Sequence, residues 1–228
     1  MNTAIIVAAG SGKRFAADTP KQFIEILGKP LIIHTLEKFD ACPAIDEILL
    51  VLSDDGRKRF DAFGFGQTVA KPFRVVTGGE TRAHSVRNAL DEVDPEHADV
   101  IAVHDGARPL VSVDEITRTV EKAHQSGAAC LVTDVTDTIK EIDGEFINGT
   151  VDRTKLKRAL TPQAFRYEVL RRAFDAAELT DAVTDECYLV EKTGVRIAFV
   201  EGSAANIKIT RPEDLMLVEA FLKDIQNT

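Results

Sequence analysis

The sequence predicts an α/β fold: a single Rossmann-like domain with a mostly parallel mixed sheet, helices on both faces and a projecting β-hairpin arm. Three observations predict it. Short β-branched runs recur along the chain, helical patterns lie between them, and a glycine-rich turn follows the first run almost at the N-terminus.

The first run, TAIIVA (3–8), reads as a buried strand. So do IDEILLVLS (45–53), FRVVT (73–77), DVIAVHD (99–105), AACLVTDV (128–135) and RIAFVEG (196–202). Between them, KPLIIHTLEKF places Pro30 near the first turn of a helix. TRAHSVRNALDEV follows the third strand. SVDEITRTVEKAHQSG starts on Ser112 with Glu115 three residues on, a capping-box pattern, and ends at Gly127, a C-cap position. PQAFRYEVLRRAFDAAEL is expected to be a helix fronted by Pro162, and RPEDLMLVEAFLKDI closes the chain as another. One region breaks the rhythm. Residues 136–159 contain IKEIDGEFIN, and Asp143-Gly144 between alternating segments is a hairpin signal. An arm there would cover an active site or reach a second subunit; a plain surface excursion is the other reading.

A chain of 228 residues suits one large domain or two small ones. We expect one, spanning 1–228, with the arm inserted in it. Apolar residues make up 44% and charged ones 29%, which fits a packed core rather than a disordered chain. The net charge of -9 argues against a broad nucleic-acid surface, though a pocket needs only a few placed cations. Cys42, Cys130 and Cys187 are odd in number and far apart, with neither disulfide-framework nor zinc spacing. A reduced, cytoplasmic setting is expected. Met1 runs straight into TAIIVAAG without a signal-peptide pattern, and no apolar run approaches a membrane span.

Chemistry concentrates at a few stretches. VAAGSGKRFAADTPKQF (7–23) carries Gly10 and Gly12 at the carboxyl end of the first strand, where open α/β sheets bind ligands. Missing β-carbons let backbone N–H groups approach a phosphate, and Lys13, Arg14 and Lys21 add countercharge. Phe15 occupies the third glycine position of a dinucleotide fingerprint, and Arg14 follows Lys13 where a Walker loop needs Ser or Thr. A tight turn with surface lysines remains the plain alternative. In VHDGARP, Asp105 reads as a Mg²⁺ ligand or as a turn cap, and Arg108 as a phosphate fork or a surface ion pair. GGETRAHSV (78–86) offers close approach at Gly78 and Gly79, with Glu80, Arg82 and Ser85 as polar contacts, or else mere helix capping. TDE (184–186) reads first as an N-cap with acidic first-turn residues. In ANIKIT (205–210) Lys208 alternates away from Ile207 and Ile209 on an expected short strand, facing a cleft or protecting an edge. His104 points to the face opposite Asp105 and is expected to be structural.

Together these motifs resemble the 2-C-methyl-D-erythritol 4-phosphate cytidylyltransferase family, on the nucleotide-diphospho-sugar transferase-like fold. The resemblance runs end to end through AAGSGKRF, PKQF, GGETRAHSV, HDGARP, TVDRTKL, ALTPQAF, TDE and NIKITRPEDL. It implies cytidylyl transfer from CTP to the methylerythritol phosphate, with Mg²⁺ as cofactor. Ala8, Ala9, Gly10, Gly12 and Gly106 would wrap CTP; Arg14 and Lys21 would hold its triphosphate. Gly79, Glu80 and Ser85 would line the base and ribose side. Asp105 would carry the metal and sit beside the acceptor, which Arg108, Arg153, Thr161, Thr184 and Lys208 would grip. Arg14, Lys21, Arg153 and Lys208 are the implied catalytic residues. The arm would cross a homodimer interface, so that Arg153 reaches the other subunit's site. Many relatives carry Asp where this chain has Glu80, which weakens the inference of a side-chain contact to the base. A ribitol-5-phosphate or other polyol-phosphate cytidylyltransferase is the alternative. An NAD-binding reductase and a non-catalytic nucleotide sensor are more distant rivals.

Overall fold

The computed structural model describes residues 1–10, 15, 19–64, 66, 69–180 and 182–226. The expectations for Gly12, Lys13 and Arg14 lie outside the described residues.

Strand β1 (Thr3–Val7) is followed by a short pair, β2 (Glu25–Ile26) and β3 (Lys29–Pro30), and by helix α1 (Leu31–Asp40). Then come β4 (Glu47–Leu52), α2 (Asp54–Ala62), β5 (Phe73–Thr77), α3 (Arg82–Asp91), β6 (Val100–Asp105), α4 (Val113–Ser126) and β7 (Ala128–Asp134). The arm is β8 (Lys140–Asp143) and β9 (Phe146–Thr150). The chain ends with β10 (Lys157–Arg166), α5 (Tyr167–Ala176), α6 (Glu186–Lys192), β11 (Ala198–Glu201) and α7 (Glu213–Gln226).

The main sheet has seven strands in the order β11-β7-β10-β6-β1-β4-β5. Its pairings are parallel except for β10, which runs antiparallel to both β6 and β7. Alternation along each strand feeds two cores. Ala4, Ile6, Ile48 and Leu50 face Ile33, Leu36 and Phe39 of α1 and Ile116 and Val120 of α4. Ile5, Leu49, Val51, Ile101 and Val103 face Val86 and Leu90 of α3, Leu170 and Phe174 of α5, and Leu189 and Val190 of α6. Burying each such side chain is worth about 1.5–3 kcal/mol. The expected capping box is present: the Ser112 hydroxyl accepts from the Glu115 amide, and the Glu115 carboxylate accepts from the Ser112 amide. Gly127 closes α4 at φ 87°, left-handed backbone that glycine adopts without strain.

One element departs from expectation. Residues 162–166 do not begin a helix; they finish β10, and α5 starts only at Tyr167. Proline at a helix front is a sound local reading, but Leu160–Phe165 is buried and lies between two strands. Pro162 has no N–H to give. It is accommodated because the ladder to β7 is irregular between Ala159 and Gln163, and pairing to β6 begins at Gln163. The segment around Lys208 also differs from expectation. Residues 206–210 join no ladder, although Ile209 donates its amide to the Ala107 carbonyl.

The arm is a separate two-stranded hairpin turning at Gly144, φ 58°. It pairs Ile142 with Ile147 and Asp143 with Phe146. Ile142, Phe146 and Ile147 are 70%, 79% and 66% exposed, so the arm adds nothing to the core of its own subunit. Among the described residues, no helix is long and apolar enough to cross a membrane. All three cysteines are free and buried, as small apolar-like side chains.

Candidate active site

The chain leaves β1 for β4 on one side and later places β6 on the other, so the strand order reverses at β1. Open sheets have a crevice outside the carboxyl ends of such strands. Here it is a cavity of about 520 Å³, lined by Ala8, Ala9 and Gly10 after β1 and by Asp105, Gly106 and Ala107 at the end of β6. Gly79, Glu80, Arg82 and Ser85 line it from the turn into α3, and Lys21 and Lys208 close it from two loops.

Close approach explains the glycine pair before α3. A β-carbon on Gly78 would lie 2.4 Å from Ala9 Cβ, so the two loops meet only because the side chain is missing. Gly10 differs: a β-carbon there would meet nothing within 4 Å, which leaves its backbone open to the cavity. The Ser85 hydroxyl accepts from the Gly79 amide at 3.1 Å and donates to the Thr81 carbonyl at 2.9 Å. Ser85 therefore shapes the turn that faces the expected base and ribose side.

The electrostatic centre is Asp105. Arg82 Nε donates to its Oδ1 at 3.1 Å, Arg108 Nε to its Oδ2 at 3.2 Å, and Lys208 Nζ sits 3.0 Å from Oδ2. Burial alone would raise the pKa of this carboxyl, but Arg82, Lys208 and Arg108 outweigh it and hold it well below the usual carboxylate range. Arg82 also donates to Glu186 Oε1 at 2.6 Å. Burial works against the Arg82 charge, yet Glu186 and Asp105 prevail and keep its proton bound more tightly than usual. Glu186 itself is fully buried, and that burial raises its pKa against the pull of Arg82. Next door, burial pushes His104 down to about 3, so its ring is neutral at pH 7. That ring packs on Phe39 and pairs with the Arg108 carbonyl and the Thr161 hydroxyl, the structural role expected of it.

Lys21 follows Pro20 on a short helical turn and donates to the Ile209 carbonyl at 2.8 Å. That bond ties the Lys21 loop to the segment carrying Lys208. Ile209 is buried and Ile207 packs with it, while Lys208, on the other side of the segment, lines the crevice.

Several expected site residues are engaged in other contacts. Both Asp105 oxygens accept from cations, so a Mg²⁺ held there would compete with Arg82, Arg108 and Lys208. Among the described residues no group of three or more His, Cys, Asp or Glu is placed to hold a metal. The buried Thr161 hydroxyl accepts from the Asp105 amide and pairs with His104. Arg108 is buried, turned to Asp105 and the Asn206 carbonyl, and does not line the cavity. Thr184 is exposed just before the Asp185 cap of α6, outside the lining. Arg153 lies on an exposed turn at the base of the arm, hydrogen-bonded to the Thr136 carbonyl and outside the crevice lining.

Two residues of the site were underweighted. Arg82 was visible in GGETRAHSV only as one polar contact among several, and Glu186 only as a first-turn acid of α6. Nothing local signals that they meet.

A glycine-floored, cation-lined crevice at the switch point of a doubly wound sheet defines an enzyme of the nucleotidyltransferase class. The family described as "IspD: 2-C-methyl-D-erythritol 4-phosphate cytidylyltransferase" matches residues 2–224, and the chain belongs to it. It is similar to the 2-C-methyl-D-erythritol 4-phosphate cytidylyltransferase of Acidobacterium capsulatum, at 41% identity over 96% of this chain and 96% of the relative. It is 44% identical to the bifunctional enzyme IspD/IspF of Desulfotalea psychrophila, over 96% of this chain but only 56% of that protein's length. The crystal structure of 4-diphosphocytidyl-2C-methyl-D-erythritol synthase from Anaerococcus prevotii superposes with a TM-score of 0.85 at 30% identity, covering 97% of this chain and 96% of the other.

Proposed function

We infer that the protein transfers the cytidylyl group of CTP to 2-C-methyl-D-erythritol 4-phosphate. The products are 4-diphosphocytidyl-2-C-methyl-D-erythritol and pyrophosphate, in isoprenoid precursor biosynthesis. The observation that carries the reading is the family match along residues 2–224, which spans every segment of the crevice. Nothing favours the ribitol-5-phosphate alternative.

The chemistry asks for charge and position rather than a base. A phosphate monoester has its second pKa near 6, so the acceptor oxygen is already mostly ionised at neutral pH. It attacks the α-phosphorus, a new P–O bond forms, and the bond to the pyrophosphate oxygen breaks. Two polyanions must first be brought together, which Lys21 and Lys208 favour from the crevice wall. Gly10 and Gly79 offer backbone beside the nucleotide, while Arg14 and Gly12, outside the described residues, keep their implied roles as part of the proposal. Glu80 is exposed at the rim on the expected base side. Magnesium, which prefers phosphate and carboxylate oxygens, would supply further countercharge to the triphosphate beside Asp105.

We assign the arm to a homodimer. Three exposed apolar side chains on a hairpin separate from the main sheet support a partner there. Arg153, at the base of that hairpin, would then serve the partner's acceptor pocket. Arg153→Ala is expected to raise the acceptor KM roughly tenfold, as for loss of one charged hydrogen bond, while the KM for CTP stays within about twofold. Equal losses for both substrates would remove Arg153 from the acceptor side. A cytoplasmic location completes the reading, since three buried free thiols suit a reducing compartment.

A screen of polyol phosphates with CTP, read by pyrophosphate release, tests the function. Methylerythritol phosphate is expected to exceed ribitol 5-phosphate by at least about tenfold in kcat/KM. A reversed order, or CTP binding without turnover on any acceptor, would overturn it.

A further inference from the structure

Glu186 poses a question that the transfer reaction leaves open. It is fully buried at the start of α6, among Cys187, Leu189 and Val190 of the apolar core. Charge in such a place is costly, and apolar side chains of similar size usually stabilise as well or better. Yet the chain spends several contacts on holding it. Gln163 Oε1 on β10 accepts from the amides of Glu186 and Cys187, at 3.2 and 3.1 Å. Gln163 Nε2 donates to Asp185 at 2.8 Å, so the first turn of α6 is pinned to the sheet. Glu186 Oε1 then takes Arg82 Nη1 at 2.6 Å, and Arg82 Nε takes Asp105 Oδ1 at 3.1 Å. Asp105 Oδ2 meets Lys208 at 3.0 Å. Among the described residues Glu186 Oε2 has no hydrogen-bond partner, and Oε1 takes the bond from Arg82.

The geometry points to Glu186 as a positioning residue: through Arg82 it fixes Asp105, and through Asp105 it sets where the Lys208 ammonium stands in the crevice. Arg82 lines the cavity and would otherwise be free to swing out toward bound phosphates, drawing Asp105 and its other cations with it. With Glu186 in place the cluster holds three cations against two carboxylates, a small positive excess at the wall of an anion site. Errors of about an ångström in such groups can cost a hundredfold in rate. This inference rests on cytidylyl transfer as the reaction, and its test is built to fail separately.

Two variants decide it, run beside the unsubstituted protein. Glu186→Gln keeps shape and one acceptor but loses the charge. Arg82→Met with Glu186→Leu replaces the pair by apolar bulk and keeps the fold if the pair is not needed for stability. Both are expected to fold, to lose at least about tenfold in kcat, and to keep a KM for CTP equal to or below the parent value. A merely structural role would not give that split. Independently of turnover, in Glu186→Gln the Lys208 amine should be acylated about threefold faster than in the parent, read by peptide mass spectrometry, with exposed Lys58 unchanged. That readout stands even if the parent protein proves inactive on CTP, a result that would count against the transfer reading alone. An apolar double variant with parent-like kcat, an unchanged Lys208 labelling rate, or loss of fold in both variants would overturn the positioning role.

Discussion

Replacing Lys21 by alanine is expected to lower kcat about a hundredfold, the usual loss when one donor aimed at developing charge is removed. Lys21 lies on the crevice wall at the turn after Pro20, where the fixed proline backbone sets its direction. Its bond to the Ile209 carbonyl is partly buried. Losing it should cost on the order of 1 kcal/mol of stability, which moves the melting temperature by only a few degrees. The effect therefore falls on the reaction. Pyrophosphate release and a thermal melt, measured on the same preparation, check both halves. Turnover close to that of the parent would remove Lys21 from the phosphate site.

The second large effect is expected from Asp105→Asn, and it has two parts. Asp105 is buried among Arg82, Arg108 and Lys208, and an amide leaves those three cations facing one another with one fewer countercharge. Breaking a buried ionic cluster by removing one partner typically costs about 3–5 kcal/mol. The variant should unfold at clearly lower denaturant, and turnover should fall further than for Lys21→Ala because Lys208 loses its anchor and Arg82 keeps only Glu186. The sign of the pH dependence follows from the depressed pKa. In the unfolded chain the carboxyl titrates in the usual range, whereas in the fold it keeps its charge to much lower pH. Its contribution to stability is thus fully present above the ordinary carboxylate range and is lost as the pH falls through that range toward the depressed value. Parent and variant curves of stability against pH should converge on acidification. Curves that stay parallel would mean that Asp105 is not the ionic hub described above.

Much of this arrangement could be read from the chain. Strand runs such as TAIIVA and IDEILLVLS carry their own β propensity, and Ser112 with Glu115 is a local signal with a local effect. Asp143-Gly144 makes its hairpin for the same reason. Alternation set Lys208 apart from Ile207 and Ile209 but left cleft and edge both open, and no ladder forms there. The misses share a cause. PQAF reads as a helix front because Pro162 suits one, and only the strands on either side of β10 make it a strand. Thr161 reads as a free hydroxyl until His104 and the Asp105 amide are seen to use it.

Sequence alone determined the class of fold, the glycine turns that floor the crevice and the set of motifs that marks the family, because each depends on conformational preferences or residue patterns within a few positions. Tertiary structure alone decided that residues 82, 105, 186 and 208 form one buried ionic cluster. Ion pairs between side chains so far apart along the chain exist only once β6, α3, α6 and the Lys208 segment have packed, and their strength depends on the water that this packing excludes.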